Sequence, residues 1–200
     1  MYNSNAIFFI NKRGIIIMVY RLKVAGIERD LPLCPLGENM NIAAFVLFGD
    51  VELTKKCSEA LYALAPEHDV LITAESKGIP LIHEMCALSG RNRYVLARKS
   101  VKLYMSDVVK CETQSITTAA KQTLYIDGND AEFMRGKRVL IVDDVISTGG
   151  SLLSLENLVN TAGGQIVGKM AILAEGEAAD REDIIFLEKL PLFDKEGKEI

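Results

Sequence analysis

The sequence predicts an α/β fold built on a central, mainly parallel sheet flanked by helices, and three observations carry that prediction. Residues 139–142 form a short, wholly apolar and largely β-branched run, the composition of a strand buried on both faces of a parallel sheet. Helical spacing takes over from residue 152 to residue 159, so this region reads strand, loop, helix. Independently, a strand, loop, helix and second strand follow one another over residues 69–98. Two βαβ units in series imply parallel strands covered on both faces, and ligands of such sheets lie beyond the carboxyl ends of the strands.

Taken in chain order, residues 6–10 and 14–19 are apolar patches separated by Asn11-Lys12-Arg13. Neither approaches the ~20 apolar residues of a membrane-spanning helix, and no small-residue cleavage site follows a basic start. A short hairpin or a loosely docked extension fits better. Met18 offers a second possible start, so residues 1–17 are read as an extension and residues 18–200 as a single domain. Pro32 and Pro35 punctuate the first part of that domain. Residues 42–48 are apolar, and periodicity does not separate strand from buried helix there, whereas residues 50–65 have clear helical spacing. A strand at 69–73, a loop at 74–78, a helix at 79–88 and a strand at 93–98 follow. Residues 100–130 scatter β-branched side chains without a firm helical period. After the strand and helix around residues 139–159, Gly163-Gly164 stops the helix, residues 165–174 form another strand, and the tail carries a strand at 184–187.

Composition excludes several function classes. Two hundred residues at 49% hydrophobic content suit one core. Lys and Arg number 23 against 27 Asp and Glu, and the isoelectric point near 5.3 leaves no electrostatic footprint for nucleic acid or an anionic membrane. An anionic ligand must therefore be held locally. Cys34, Cys57, Cys86 and Cys111 contain no C-x-x-C pair and have only His68 and His83 to help, which is no zinc framework. Reduced thiols that fill core space, and a cytoplasmic location, are expected.

The most informative stretch is Val139-Leu140-Ile141-Val142-Asp143-Asp144-Val145-Ile146-Ser147-Thr148-Gly149-Gly150-Ser151. A loop of Ser, Thr and Gly between strand and helix lets backbone N–H groups converge on an anion without Cβ obstruction, and the helix start adds a favourable partial charge. The two carboxylates cannot serve the same anion. As acceptor-only groups they suit sugar hydroxyls or a magnesium ion. A sugar diol plus a phosphate describes ribose 5-phosphate. Helix capping would account for Ser147 and Thr148 but for neither the paired Gly nor the paired Asp.

This segment resembles the signature of type I phosphoribosyltransferases, and the resemblance is nearest to the adenine and xanthine (purine) members. It implies that fold, with a small hood from the N-terminal segment or the C-terminal tail and a flexible lid. It also implies that Asp143 and Asp144 take the ribose hydroxyls of phosphoribosyl pyrophosphate, and that Ser147, Thr148, Gly149, Gly150 and Ser151 take its 5-phosphate. Magnesium would be held by the Asp pair through water, since this ion keeps several waters and takes few carboxylates. A homodimer is implied as well.

Ala74-Glu75-Ser76-Lys77-Gly78 follows a strand and opens a helix. Alone it is a weak anion site; an ordinary turn with Glu75 and Lys77 in solvent reads equally well. It resembles the pyrophosphate loop of adenine phosphoribosyltransferases, with Lys77 replacing the usual arginine, so the charge survives but the bidentate fork is lost. The resemblance predicts a cis peptide between Glu75 and Ser76. Arg98-Lys99-Ser100-Val101-Lys102 similarly resembles a pyrophosphate clamp, in which Arg98 and Lys102 are better placed than Lys99, whose strand neighbours point the opposite way.

In the family, residues 103–121 occupy the lid, which excludes water from the activated sugar; Ser115, Thr117 and Thr118 give it a polar character, and a plain surface hairpin is the simpler reading. Thr118 stands where adenine enzymes carry a lid glutamate; Glu112 is near, but nothing fixes its geometry. Residues 31–36 and 190–193 are hood candidates, and Phe193 either stacks on a purine or belongs to the core. Residues 163–170 nearly spell a P-loop but place Met170 where Ser or Thr is required and run from helix into strand. Without such a loop, Asp143 and Asp144 do not read as a Walker B end. The sequence thus predicts a magnesium-dependent purine phosphoribosyltransferase of purine salvage, with phosphoribosyl pyrophosphate and a purine base as partners. The alternative is a non-enzymatic protein that binds phosphoribosyl pyrophosphate as a signal.

Overall fold

A computed structural model describes residues 6–10, 16–114 and 121–200. The chain runs through β1 (Ala6–Ile10), β2 (Ile16–Val24), β3 (Ile27–Leu36), β4 (Met40–Ala43), α1 (Val51–Tyr62), β5 (Val70–Ala74), α2 (Ile79–Leu88) and β6 (Val95–Ala97). It continues through β7 (Val109–Gln114), β8 (Lys121–Ile126), α3 (Gly128–Met134), β9 (Arg138–Ile146), α4 (Gly150–Ala162) and β10 (Gln165–Glu175). A 3₁₀ turn (Gly176–Asp180), β11 (Ile185–Leu190) and β12 (Leu192–Asp194) complete it.

The central sheet has the order β11-β10-β9-β5-β6 and every neighbour pair is parallel. All five residues of β5 are buried, as expected of a strand covered on both faces. One core lies under α1 and α2, where Leu53, Cys57 and Leu61 repeat every four residues along α1. The other lies under α3 and α4, where Leu155, Leu158 and Val159 meet Val139 and Ile141. Helix α1 begins at Asp50, whose carboxylate accepts from the Leu53 N–H at 2.9 Å, and Arg29 of β3 bridges Asp50 and Glu52 at 2.7 Å each. That bridge ties a second sheet to the first helix.

The second sheet has the order β1-β2-β3-β4-β12 and is antiparallel throughout. It joins both hood candidates, since β3 holds residues 31–36 and β12 pairs Leu192 with Ile42 and Phe193 with Asn41. Phe193 is fully buried with its ring 5.3 Å from that of Tyr20, so of its two readings the structure places it in the core. The N-terminal patches pair as antiparallel strands, and β2 runs unbroken past Met18; residues 1–5 and 11–15 lie outside the described residues. Only residues 42 and 43 of the ambiguous apolar stretch are strand, at the end of β4. Phe45 and Leu47 are buried from an irregular segment, which accounts for the apolarity of residues 44–48 without a second element.

Residues 100–130 contain the antiparallel β7–β8 pair and the start of α3, capped by Asp127. Helix α3 has seven residues, too few for a visible period. Ser115, Thr117 and Thr118, the residues singled out in the lid, lie outside the described residues. No described helix is long and apolar enough to cross a membrane. Cys57 and Cys86 are buried, and Cys34 and Cys111 half-buried.

Candidate active site

The acid pair lies within β9, not after it. The strand continues to Ile146 because β10 stays paired with it, Asp143 opposite Ala171 and Ile146 opposite Ala174, whereas the described pairing with β5 reaches only Ile141. Past Ile141 one edge of β9 is therefore turned toward the loops at the carboxyl ends. Alternation sends Asp143 and Asp144 to opposite faces. Asp144 is almost fully buried, and its backbone N–H donates to Asp143 Oδ1 at 2.9 Å. Burial, and then the charge of Asp144, hold the Asp143 carboxyl well above the usual carboxylate range.

Ser147, Thr148 and Gly149 form the turn into α4. Gly149 has φ 78°, a left-handed conformation that favours glycine, and no side chain caps the helix. The other two helices that begin beside acids differ: Asp50 accepts from Leu53 and Asp127 from Asn129. Leaving the N-terminus of α4 without a carboxylate cap keeps its partial positive charge for an external anion. Asp143, Ser147, Thr148, Gly149, Gly150 and Ser151 line a cavity of about 120 Å³ there. A Cβ at Gly149 would stand 2.9 Å from an Arg181 terminal nitrogen, while the other guanidinium nitrogens of Arg181 donate to Asp183 at 2.8 and 2.7 Å.

Across from this turn, the Glu75–Ser76 peptide is cis, as the sequence resemblance implied. Lys77 Nζ lies 3.1 Å from Asp144 Oδ2 and donates to the Phe45 carbonyl at 3.2 Å. Gly78 is packed so closely that a Cβ would stand 2.5 Å from Thr73 Oγ1 and 3.1 Å from Asp143 Oδ1. The 75–78 loop is therefore held against the acid pair of β9 through a glycine and an ion pair. Arg98 follows β6 and bridges to Tyr125 through two backbone hydrogen bonds of 2.7 and 2.8 Å. Its guanidinium reaches Glu75 at 3.4 Å, and its buried Nε has no hydrogen-bond partner among the described residues. The Lys99 N–H donates to the Glu75 carboxylate at 3.0 Å, and this bond, with the charge of Arg98, holds Glu75 below its ordinary range. Lys102 Nζ donates to Ser100 Oγ at 2.6 Å, and Lys99 is exposed.

The structure thus gathers Asp143, Asp144, residues 147–151, residues 75–78 and Arg98 at one edge of the sheet, with Lys102 just beyond. Glu112 is not among them, since it sits on β7 paired with Lys110 at 3.1 Å. Among the described residues no three His, Cys, Asp or Glu side chains are grouped to hold a metal. Sequence reasoning missed Thr73, which packs on Gly78; Arg181, which backs Gly149; and Glu175. Glu175 ends β10 beside the acid-bearing strand, level with Ser147, and is pushed up by burial. A lone acid at the end of the apolar run of residues 170–174 was the available signal.

An unobstructed backbone cradle beside paired acids, facing a row of cations, suits a phosphorylated sugar that carries a second anionic group. Residues 51–194 match the family model of the phosphoribosyl transferase domain, and the chain belongs to that family. It is similar to the hypoxanthine/guanine phosphoribosyltransferase of Methanotorris igneus, 34% identical over 109 residues that make up 54% of this chain and 55% of that protein. It is also similar to the adenine phosphoribosyltransferase of Nocardia farcinica, 35% identical over 128 residues and 64% of each chain. The chain thus spans between half and two thirds of the length of these curated relatives. A crystal structure of adenine phosphoribosyltransferase from Thermoanaerobacter pseudethanolicus shares the fold, with a TM-score of 0.66 at 22% identity over 80% of this chain and 95% of that one.

Proposed function

We propose that this protein is a purine phosphoribosyltransferase, which transfers the phosphoribosyl group of phosphoribosyl pyrophosphate to a free purine base and releases pyrophosphate. The observation that carries this reading is the contact of the 75–78 loop with the acid pair of β9 through Gly78 and Lys77, which leaves two carboxylates between the turn that opens α4 and a cationic edge. In the reaction the bond from ribose C1 to the pyrophosphate oxygen breaks, its electron pair leaving with pyrophosphate. A ring nitrogen of the base bonds to C1 and gives up its proton.

Positive charge develops on the sugar and negative charge on the leaving group, so groups that neutralise pyrophosphate accelerate the step. Lys77, Arg98 and Lys102 have that role, and each charge-assisted contact contributes about 1.5–3 kcal/mol. Asp143 and Asp144 accept from the ribose hydroxyls, and residues 147–151 hold the 5-phosphate. Two carboxylates without a third protein ligand suit magnesium, which keeps several waters and borrows phosphate oxygens from its substrate. Asp143 and Asp144 would hold it through water, and when bound it adds charge neutralisation at the pyrophosphate oxygens.

Turnover of phosphoribosyl pyrophosphate with magnesium against adenine, hypoxanthine, guanine, xanthine and orotate tests the proposal. Consumption of one or more purines with release of pyrophosphate is expected. Tight binding of phosphoribosyl pyrophosphate with no base consumed would replace the enzyme by a sensor of that metabolite.

A further inference from the structure

We infer that Glu175 reads the acceptor base, accepting a hydrogen bond from an N–H or amino group that the purine presents to the end of β10. This inference rests on the transfer reaction proposed above. Ala174 pairs with Ile146, so Glu175 stands level with Ser147 of the phosphate turn. On its other side it pairs with Leu190, the last residue of β11, from which the chain passes into β12 of the second sheet. The next residue, Gly176, lies so near that second sheet that a Cβ there would come 3.0 Å from Leu192 Cδ1. The carboxyl group therefore sits at the seam between the cradle and the hood.

Its local bonds leave it capacity for a ligand. The Ser147 oxygen accepts from the Thr148 N–H at 2.6 Å, and Ser147 is the neighbouring hydroxyl that favours the ionised Glu175 carboxyl; a single hydroxyl uses only part of what two carboxyl oxygens can accept. Orienting Ser147 alone needs no acid; an amide oxygen would do it. An acid beside a site for a phosphate dianion repels that anion, and Lys77 is the cation whose charge acts on it. Such an acid makes sense if it serves a component of the reaction that is uncharged and rich in N–H donors. Of the two substrates only the purine answers that description.

Glu175→Gln separates the two roles, because its amide oxygen still accepts from Ser147 while the charge is lost. The dissociation constant of magnesium phosphoribosyl pyrophosphate is measured for the wild type and the variant, followed by kcat/KM for each purine. The expected result is a fall of at least tenfold in kcat/KM for the preferred base, carried by the KM of the base, with phosphoribosyl pyrophosphate bound within about twofold of wild type. Glu175→Asp, one methylene shorter, should recover part of the loss with the same order of preference among bases. Weakened phosphoribosyl pyrophosphate binding in Glu175→Gln with an unchanged KM for the base would overturn the inference and assign Glu175 to the phosphate turn. Wild-type protein that turns over no purine would instead remove the transfer reaction itself, and the base-reading role with it.

Discussion

The two ends of the proposed site are built in opposite ways. The turn at Ser147, Thr148 and Gly149 offers backbone N–H groups, and no side chain caps the helix that follows. The edge formed by Lys77, Arg98 and Lys102 offers side chains, and each already has a partner in the protein: Asp144, Glu75 and Ser100 respectively. Binding at the first end exchanges at most bonds made within the turn itself, such as that from the Thr148 N–H to Ser147 Oγ at 2.6 Å. Binding at the second requires each cation to trade a carboxylate or hydroxyl for pyrophosphate. The difference separates a fixed anchor from a set of latches, and the latches can tighten as charge builds up on the leaving group.

The acid pair stands between the two ends, so its loss should affect both and produce the largest change. Asp143→Asn with Asp144→Asn should weaken phosphoribosyl pyrophosphate by about a hundredfold or more in calorimetry, the scale of two charge-assisted hydrogen bonds. Gly149→Ala comes next. Holding Ala at φ 78° costs about 1–2 kcal/mol, and its methyl group would meet Arg181, so ribose 5-phosphate should bind about tenfold more weakly while pyrophosphate is unaffected. Equal losses for the two ligands would mean that the ends are not independent.

Lys77→Ala should show the reverse pattern, pyrophosphate weakening about three- to tenfold and ribose 5-phosphate hardly at all. The smallest effect belongs to the other edge of the sheet, where hydrogen bonds from Arg138 hold the Asp69 carboxyl well below its ordinary range. A depressed folded-state pKa gives stability that is present above the unfolded value and lost as pH falls through the folded one. Asp69→Asn should therefore flatten the dependence of Tm on pH below about pH 4 and leave both ligands bound as before.

How much of this was legible follows the same division. Strands β5, β9 and β10 are covered on both faces, and their continuous apolar runs announce them. The turn chemistry between β9 and α4 is local in sequence, so its residues could be named before any coordinates. Both hood segments were visible as candidates, but their union was not, because β4 and β12 are paired by tertiary contact alone. Strand β9 outran its apolar core by carrying two carboxylates that periodicity would place in a loop. Glu175 and Arg181 meet the site beside residues of another element, Ser147 and Gly149, and no spacing rule links them.

The pairing of β12 with β4 also sets an order of assembly. The Asn41 side-chain amide donates to the Asp194 carbonyl at 2.8 Å, across 153 positions of sequence. On the ribosome, the strands and helices that carry the cradle are all made before β12 exists. Contacts of such long sequence separation form late, because their loop-closure entropy is met only once the intervening chain is ordered. The nascent protein should thus acquire its phosphate anchor first and complete the sheet beside Glu175 last. A ribosome-stalled chain ending before Leu192 would be a direct place to look for sugar-phosphate binding without base discrimination.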